Sequence, residues 1–121
     1  MEYMLLFLES KEDFAARSED PKTSPYWGAW MAYGKAMAEA GVTKGIGNAL
    51  QPPDTATVVR LKDGKRLVQD GPFASAKEQL GGYMIIEVPG LDQALEWAAR
   101  CPAAVRGAVE VRPVLDIGCG D

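Results

Sequence analysis

The apolar run YMLLFL at residues 3–8 constrains the possible folds more than any other part of the chain. Successive side chains of a β-strand point to opposite faces, so a strand with one wet face carries a polar residue at every second position. Here both alternating sets are apolar. The run therefore predicts a strand that is covered on both sides.

Two segments predict helices. Ser24-Pro25 supplies an N-cap and a first-turn proline, and Gly41 supplies a left-handed C-terminal residue. The helix between them is apolar on one face and on a flank, so we expect it to be covered on more than one side. Residues 91–101 predict a second, amphipathic helix that Pro102 ends. Its apolar stripe consists of Leu91, Ala94, Leu95 and Ala98.

The remaining segments predict strands and turns. Residues 42–51 predict a strand that is bent or bulged at its glycines. Two more strands are predicted, at residues 83–88 and at about 107–115. Asp63-Gly64 predicts a two-residue hairpin turn between residues 55–62 and 65–69. The charged residues 9–22 predict a solvated loop with one helical turn, a mobile lid being the alternative. Ser75 and Glu78 form a capping-box pattern that predicts a short helical turn ending at Gly81-Gly82.

This order of elements predicts a ferredoxin-like βαββαβ domain of the α+β class, with an extra β-hairpin arm. No repeat, linker or low-complexity tract divides the chain, so we expect one domain over residues 1–121. Two helices on one face of an antiparallel sheet leave the other face bare, although the first strand is apolar there. We therefore expect a homodimer that packs sheet on sheet about a two-fold axis.

The composition excludes several classes of function. The chain contains no histidine, which removes serine or cysteine triads based on histidine, histidine-ligated zinc and the usual near-neutral general base. We expect no metal site and no cofactor. A net charge of −4 without a basic patch argues against nucleic-acid binding. The first apolar run is too short for a signal peptide or a membrane span of about 20 residues, so we expect a cytoplasmic protein that does not bind a membrane.

The two cysteines, Cys101 and Cys119, form no metal-ligand pattern. A disulfide between them is one possibility. Two cysteines in a domain that forms an ordinary core fit a reducing compartment better.

The stretch VQDGPFASAKEQLGGYMIIEV at residues 68–88 resembles the DGPF-motif proteins of the YCII-related family. The matching positions are Asp70-Gly71-Pro72-Phe73-Ala74, Lys77-Glu78 and Gly81-Gly82. The resemblance extends to the first strand and to residues 110–113, and it implies the fold of the dimeric α-β barrel group. Relatives with proposed chemistry carry a His–Asp pair; Asp70 stands where the acidic member would, without its histidine.

Three interpretations of Asp70 remain open. It could accept backbone N–H bonds in an Asx turn, act as a base or ligand acceptor in a cleft, or make a hydrogen bond between subunits. If the family motif carries chemistry, Asp70 is the candidate catalytic residue and Tyr83 its available companion. Lys77 and Glu78 are assigned to a solvated turn and to the capping box.

The candidate ligand-binding residues come from three places. Trp30 and Tyr33 are core or interface residues that could also form the wall of a pocket between the first long helix and the sheet. Phe73 could plug the core or an interface, or stack on a substrate. Arg60 and Arg112, with Glu87 and Glu110, could share the non-helical face of the sheet, where a dimer would enclose them and require them to pair or to bind something.

Two functions follow from these residues. The first is a dimeric α-β barrel that binds a small organic ligand between the sheet faces or near the DGPF corner, without histidine-based catalysis. The second is a non-catalytic interaction module that acts with a transcription regulator such as an extracytoplasmic-function sigma factor, as the resemblance implies for some relatives. The sequence leaves open whether the protein is an enzyme.

Overall fold

The computed structural model describes residues 1–74 and 76–118. The strands are β1 Glu2–Glu9, β2 Thr43–Ala49, β3 Thr57–Lys62, β4 Lys65–Asp70, β5 Gln79–Glu87 and β6 Ala108–Pro113. The helices are α1 Lys11–Ala16, α2 Pro25–Ala40, α3 Leu91–Arg100 and α4 Ala103–Arg106, and a 3₁₀ turn spans Pro53–Thr55. Ser75 and Cys119, on which the capping box and the disulfide depended, lie outside the described residues.

The main sheet has four antiparallel strands in the order β2-β5-β1-β6. Tyr3, Leu5 and Phe7 of β1 are buried, and the same core contains residues of both long helices, so α2 and α3 cover one face of the sheet. This confirms the predicted ferredoxin-like α+β fold.

The other face of the sheet, which we call the open face, carries the second set of β1 side chains. Met4, Leu6 and Leu8 lie there, with Tyr83 and Ile85 opposite them on β5, and all five are half-buried in one chain. Charged side chains lie at its margins: Glu2, Glu87, Glu110 and Arg112.

Helix α2 begins and ends where the sequence predicts. The Ser24 side chain accepts a hydrogen bond from the Trp27 amide, and Gly41 adopts φ 70° after the last turn. Tyr33 and Met37 enter the core, but Met31 on the other side is 69% exposed. Within one chain, the helix is therefore covered on one side only, whereas we expected more.

Helix α3 buries a different stripe from the one predicted. Ala94 and Ala98 are buried, whereas Leu91 and Leu95 are about half exposed. Trp97 packs on the core instead, and its ring lies 6.3 Å from that of Tyr33. The two alanines permit a close approach to the sheet, which leaves the leucines at the edge of the contact.

Residues 11–16 form the helix α1, slightly longer than the one helical turn predicted in this charged segment, and residues 18–22 after it are exposed. Ser10 caps it by accepting from the Asp13 amide. Asp13 is buried and its carboxylate lies 3.1 Å from Nη1 of Arg106 on α4. These contacts tie α1 to the rest of the fold through its one buried carboxylate.

The predicted helical turn before Gly81 is wrong. Gln79 and Leu80 begin β5 and pair with Glu9 and Leu8 of β1, with an irregularity in register between Phe7 and Leu8. Strand pairing along β1 supplies more backbone hydrogen bonds than one helical turn can, and it overrides the local capping pattern.

Strands β3 and β4 form a separate two-stranded sheet, the hairpin arm. Its turn has positive φ at both Asp63 and Gly64, as the Asp-Gly pair predicts. Arg60 therefore lies on the arm and not on the open face, where we had placed it with Arg112. The amide of Gly71 donates to the Ala56 carbonyl and closes the base of the arm.

Candidate functional site

A cavity of about 190 Å³ lies between α2 and the β2–β5 side of the sheet. Aromatic side chains form much of its wall: Phe7, Tyr26, Trp27, Trp30 and Tyr33. Gly34 of α2 and Gly47 of β2 also line it, with Gly81 and Gly82 of β5.

The β5 glycines let neighbouring groups pack closely against the sheet side of the cavity. A Cβ at Gly81 would lie 2.1 Å from Oε2 of Glu9, and one at Gly82 would lie 2.8 Å from the Asn48 carbonyl oxygen. The irregularity of the β1–β5 pairing falls at this point. Gly81 and Gly82 of the sequence motif must therefore lack side chains, because Glu9 and the Asn48 carbonyl pack directly against them.

An ion pair forms the polar part of the cavity. Glu9 is the last residue of β1 and is 2% exposed, and its Oε2 lies 2.6 Å from Nη2 of Arg17. The hydroxyl of Tyr26 donates to Oε1 of Glu9. Arg17 also donates to the backbone carbonyls of Leu50 and Gly81, the latter at 2.9 Å. One guanidinium thereby ties the end of α1 to β1, to β5 and to the residue after β2.

Both donors of this cluster stay protonated at neutral pH. Burial, together with the hydrogen bond to Glu9, raises the pKa of Tyr26 to about 12. Burial alone would lower the pKa of Arg17, but its hydrogen bonds with Tyr26 and Glu9 outweigh burial and raise it. The carboxylate of Glu9 is thus held between two donors.

Two more aromatic groups of the wall differ in their hydrogen bonding. The Tyr33 hydroxyl donates to the Trp97 carbonyl at 2.8 Å, and burial raises the pKa of that hydroxyl above its ordinary value. The indole nitrogen of Trp30 is buried and has no hydrogen-bond acceptor among residues 1–74 and 76–118.

The structure brings three of the sequence-predicted site residues to this cavity. Trp30 and Tyr33 line it from α2, as expected for a pocket between that helix and the sheet. Tyr83 borders it from β5, while its hydroxyl, on the open face, accepts from the Asn48 amide at 2.9 Å.

The other four predicted residues lie elsewhere. Asp70 ends β4 on the arm, opposite Thr57, and within the described part of the chain it makes no side-chain hydrogen bond of the Asx-turn kind. The Arg60 guanidinium lies 5.1 Å from the centre of the Phe73 ring, which is 75% exposed. Arg112 lies on the open face with its Nε 3.6 Å from Glu110.

Sequence reasoning missed Glu9, Arg17 and Tyr26 as site residues. One signal was available for Glu9. It follows Tyr3, Leu5 and Phe7 at every second position of β1, so its side chain lies on the same buried face of the strand. A carboxylate at an inward strand position requires a partner, and the nearest cations in sequence are Lys11 and Arg17. Nothing local in the sequence shows that Tyr26 joins them.

The model of the YCII-related domain matches residues 1–118. The chain belongs to the YCII-related family. An uncharacterized protein of Rhizobium meliloti is 42% identical over 67 residues, which are 54% of each chain, so this chain spans about half the length of that relative.

A solved structure shares the fold. It is the 5-chloro-2-hydroxyhydroquinone dehydrochlorinase of Burkholderia phenoliruptrix in complex with 2,5-dihydroxybenzoquinone. The TM-score is 0.53 at 14% identity, and the match covers 95% of this chain and 94% of that one. Among the described residues of the YCII-related chain, no helix is long and apolar enough to cross a membrane.

Proposed function

We propose that this protein binds a small, planar and mostly apolar organic molecule in the cavity between α2 and the sheet. The aromatic lining carries the proposal, because flat, rigid side chains around a mostly apolar cavity suit a ring. A few polar groups in a mostly apolar concave site are the usual arrangement for binding small molecules.

The comparison with the dehydrochlorinase supports this class of ligand. That protein has the same fold and is complexed with 2,5-dihydroxybenzoquinone, a small planar ring. A cavity of about 190 Å³ is suited to a molecule with one ring. This ligand site corresponds to the pocket between the first long helix and the sheet for which the sequence suggested Trp30 and Tyr33 as walls, and it differs from the other two suggested places, between the sheet faces and at the DGPF corner.

The chemistry of the cavity favours binding without histidine-based turnover. Its carboxylate, Glu9, is engaged by Arg17 and Tyr26, and the raised pKa of Tyr26 keeps that hydroxyl protonated near neutral pH. Asp70, the candidate from the motif, does not line this cavity.

Isothermal titration calorimetry with acetophenone, a neutral planar ring compound, tests the proposal on two matched variants. A Cβ at Gly34, which lines the cavity, has no neighbour within 4 Å, so Gly34→Leu would fill the cavity. Gly28→Leu is the control, because Gly28 lies on the same helix, is equally open and does not line the cavity. We expect Gly34→Leu to weaken binding by about tenfold or more and Gly28→Leu to leave it unchanged. Equal binding by wild type and Gly34→Leu would refute the site.

A second candidate function is the interaction module, which the hairpin arm favours. Val59, Leu61 and Val68 share one face of the arm and are 55% to 77% exposed. A two-stranded sheet with exposed apolar side chains is marginally stable by itself, so a protein partner would stabilise the arm. The arm also has four basic side chains against two acidic ones, which suits an acidic partner: Arg60, Lys62, Lys65 and Arg66 against Asp63 and Asp70.

Titration with a purified extracytoplasmic-function sigma factor tests this second function. We expect Leu61→Ser to abolish complex formation and Met31→Ser, a similarly exposed change on α2, to leave it intact. Equal binding by wild type and Leu61→Ser would exclude the arm as the interaction surface.

A further inference from the structure

A groove of about 450 Å³ lies between α1, the first turns of α2 and α4, apart from the aromatic cavity. Its apolar lining comes from the start of α2 and from α4 with the residue before it: Pro25, Ala29, Pro102 and Val105. Val105 is 78% exposed. Exposed apolar side chains grouped in a concave surface mark a place where another molecule docks.

The charged side chains of this groove are mostly acidic. Glu12, Asp13 and Glu19 line it together with a single cation, Arg106. That cation is shared, because its Nε lies 3.2 Å from Glu12 and its Nη1 lies 3.1 Å from Asp13. Glu19 accepts a hydrogen bond from the Ser24 hydroxyl and forms no ion pair within the described residues. The groove therefore keeps an excess of negative charge, which suits a basic occupant.

The hairpin arm carries the complementary chemistry. Val59, Leu61 and Val68 are exposed on one of its faces, and Arg66 lies opposite Leu61 on that same face. None of the four basic side chains of the arm forms a salt bridge in the part of the chain that the structure describes. An apolar strip beside unpaired cations thus matches an apolar groove with surplus carboxylates.

The arm is hardly covered by its own chain. Its two strands form a sheet separate from the main one, and every residue of these strands except Val58 is exposed. A two-stranded sheet by itself is marginally stable in water. A contact that covers its apolar face would therefore stabilise it.

We propose that the arm of one chain docks in the groove of a second copy, with its apolar face on the apolar lining and Arg66 directed toward Glu19. The occupant is a second copy because one chain carries both halves of the match. This contact is distinct from the sheet-on-sheet homodimer expected from β1, which uses the open face. The arm cannot serve two partners at once, so a sigma factor on the arm would compete with the second copy.

The size of the arm makes this a weak contact. One face of the hairpin offers six side chains, whereas a stable interface has about 20–30 residues on each side. The experiment must therefore detect a contact that is only partly populated at micromolar concentration.

Paramagnetic broadening between separate chains detects such a contact. One chain carries a nitroxide on Leu61→Cys in a Cys119→Ser background, where Cys101 is too buried to react. It is mixed with a nitrogen-15-labelled wild-type chain, so that the spectrum reports contacts between copies alone. We expect the amide signals of α1 and α4, Val105 among them, to lose intensity. A nitroxide on Met31→Cys, exposed on α2, is the control and should leave those signals unchanged.

Charge reversal tests the match between the arm and the groove. Arg66→Glu in the nitroxide chain should reduce the broadening roughly threefold or more, because it turns an attraction into a repulsion. Glu19→Arg in the nitrogen-15 chain should then restore it. Lys35→Glu in the nitroxide chain, an exposed charge reversal on α2, should leave the broadening unchanged.

Three results would overturn the proposal. The first is broadening confined to the strands of the open face, which would mean that copies meet only sheet on sheet. The second is broadening at the groove that Arg66→Glu does not reduce, because charge complementarity carries the assignment. The third is an absence of broadening, whether or not a sigma factor binds the arm.

Discussion

At the scale of single residues, the ion pair of Glu9 and Arg17 holds one wall of the cavity together. Within the described part of the chain it is the salt bridge with the least exposed partners, at 2% and 15%. Such a pair contributes little net free energy when intact. Removing one partner is costly, because the other charge stays buried.

Replacement of Arg17 by methionine should destabilise the protein by about 3 kcal/mol or more, since it leaves the Glu9 carboxylate unpaired. Urea unfolding monitored by tryptophan fluorescence measures the loss. Arg66→Met is the control: Arg66 is exposed on the arm, away from the open face, and its loss should cost about 0.5 kcal/mol or less. Similar losses for both variants would contradict the structural role of Arg17.

The buried thiol of Cys101 should make stability depend on alkaline pH. Burial raises the pKa of this thiol from 9.0 to about 12 in the folded protein. A group whose pKa is raised on folding contributes stability fully below its unfolded pKa and loses it as pH rises toward the folded value. Between pH 8 and pH 10 this loss should amount to about 1.4 kcal/mol.

Urea unfolding at pH 8, 9 and 10 tests this in a Cys119→Ser background, where Cys101 is the single thiol. We expect Cys101→Ala to flatten the decline between pH 8 and pH 10, whatever its effect on absolute stability. An unchanged slope would show that Cys101 does not carry the effect.

At the scale of elements, the same residue type has opposite roles in α2 and β5. Gly28 lies in a helix with open space around it, whereas Gly81 lies against Glu9 and Arg17. Replacing a glycine by alanine stabilises the fold where the added Cβ has free space, because it lowers the entropy of the unfolded backbone. The same replacement destabilises the fold where the Cβ would meet packed atoms.

Gly28→Ala should therefore stabilise the protein by about 0.5–1 kcal/mol through helix propensity. Gly81→Ala should destabilise it by about 2 kcal/mol or more, because its Cβ would lie 2.8 Å from Nη2 of Arg17 and still closer to Glu9. Thermal unfolding of the two variants provides the comparison. A stabilising Gly81→Ala would mean that the ion pair can move aside without cost.

At the scale of the whole molecule, the open face is the main face of the sheet that one chain leaves without a covering layer. Its centre is apolar, from Met4, Leu6 and Leu8 to Ile85, and its margins are charged. We propose that a second copy covers it sheet on sheet, in a symmetric interface of at least about 1,200 Å².

Light scattering at micromolar concentration should give twice the 13.0 kDa mass of one chain. Leu6→Glu should give the single-chain mass, because it buries a charge at the centre of the face. Met31→Glu, on the exposed side of α2, should remain dimeric. A monomeric wild type would refute the proposed dimer.

Local sequence signals predicted much of the fold. Ser24-Pro25 and Gly41 bound α2, Asp63-Gly64 makes the hairpin turn, and the doubly apolar β1 lies in the interior of the sheet. Each of these signals is decided within a few residues by backbone geometry or by side-chain alternation. The DGPF stretch, by its resemblance, also gave the family, which the match over residues 1–118 confirms.

The candidate site was only partly predictable. The aromatic wall of α2 followed from the helix pattern, which placed Trp30 and Tyr33 beside the sheet. The cluster of Glu9, Arg17 and Tyr26 did not, because its members belong to three elements and meet only when α1 folds back over β1. Arg60 was misplaced because alternation gives the face of a strand but not the sheet to which the strand belongs.

The sequence by itself thus determined most of the strands, the two long helices and the hairpin turn, since these depend on interactions between near neighbours. The tertiary structure alone decided that β5 begins at Gln79, that Gly81 must lack a side chain, and that the indole of Trp30 is buried without an acceptor. Those outcomes depend on atoms that are distant in sequence, and only the packing of β1, β5 and α2 brings them into contact.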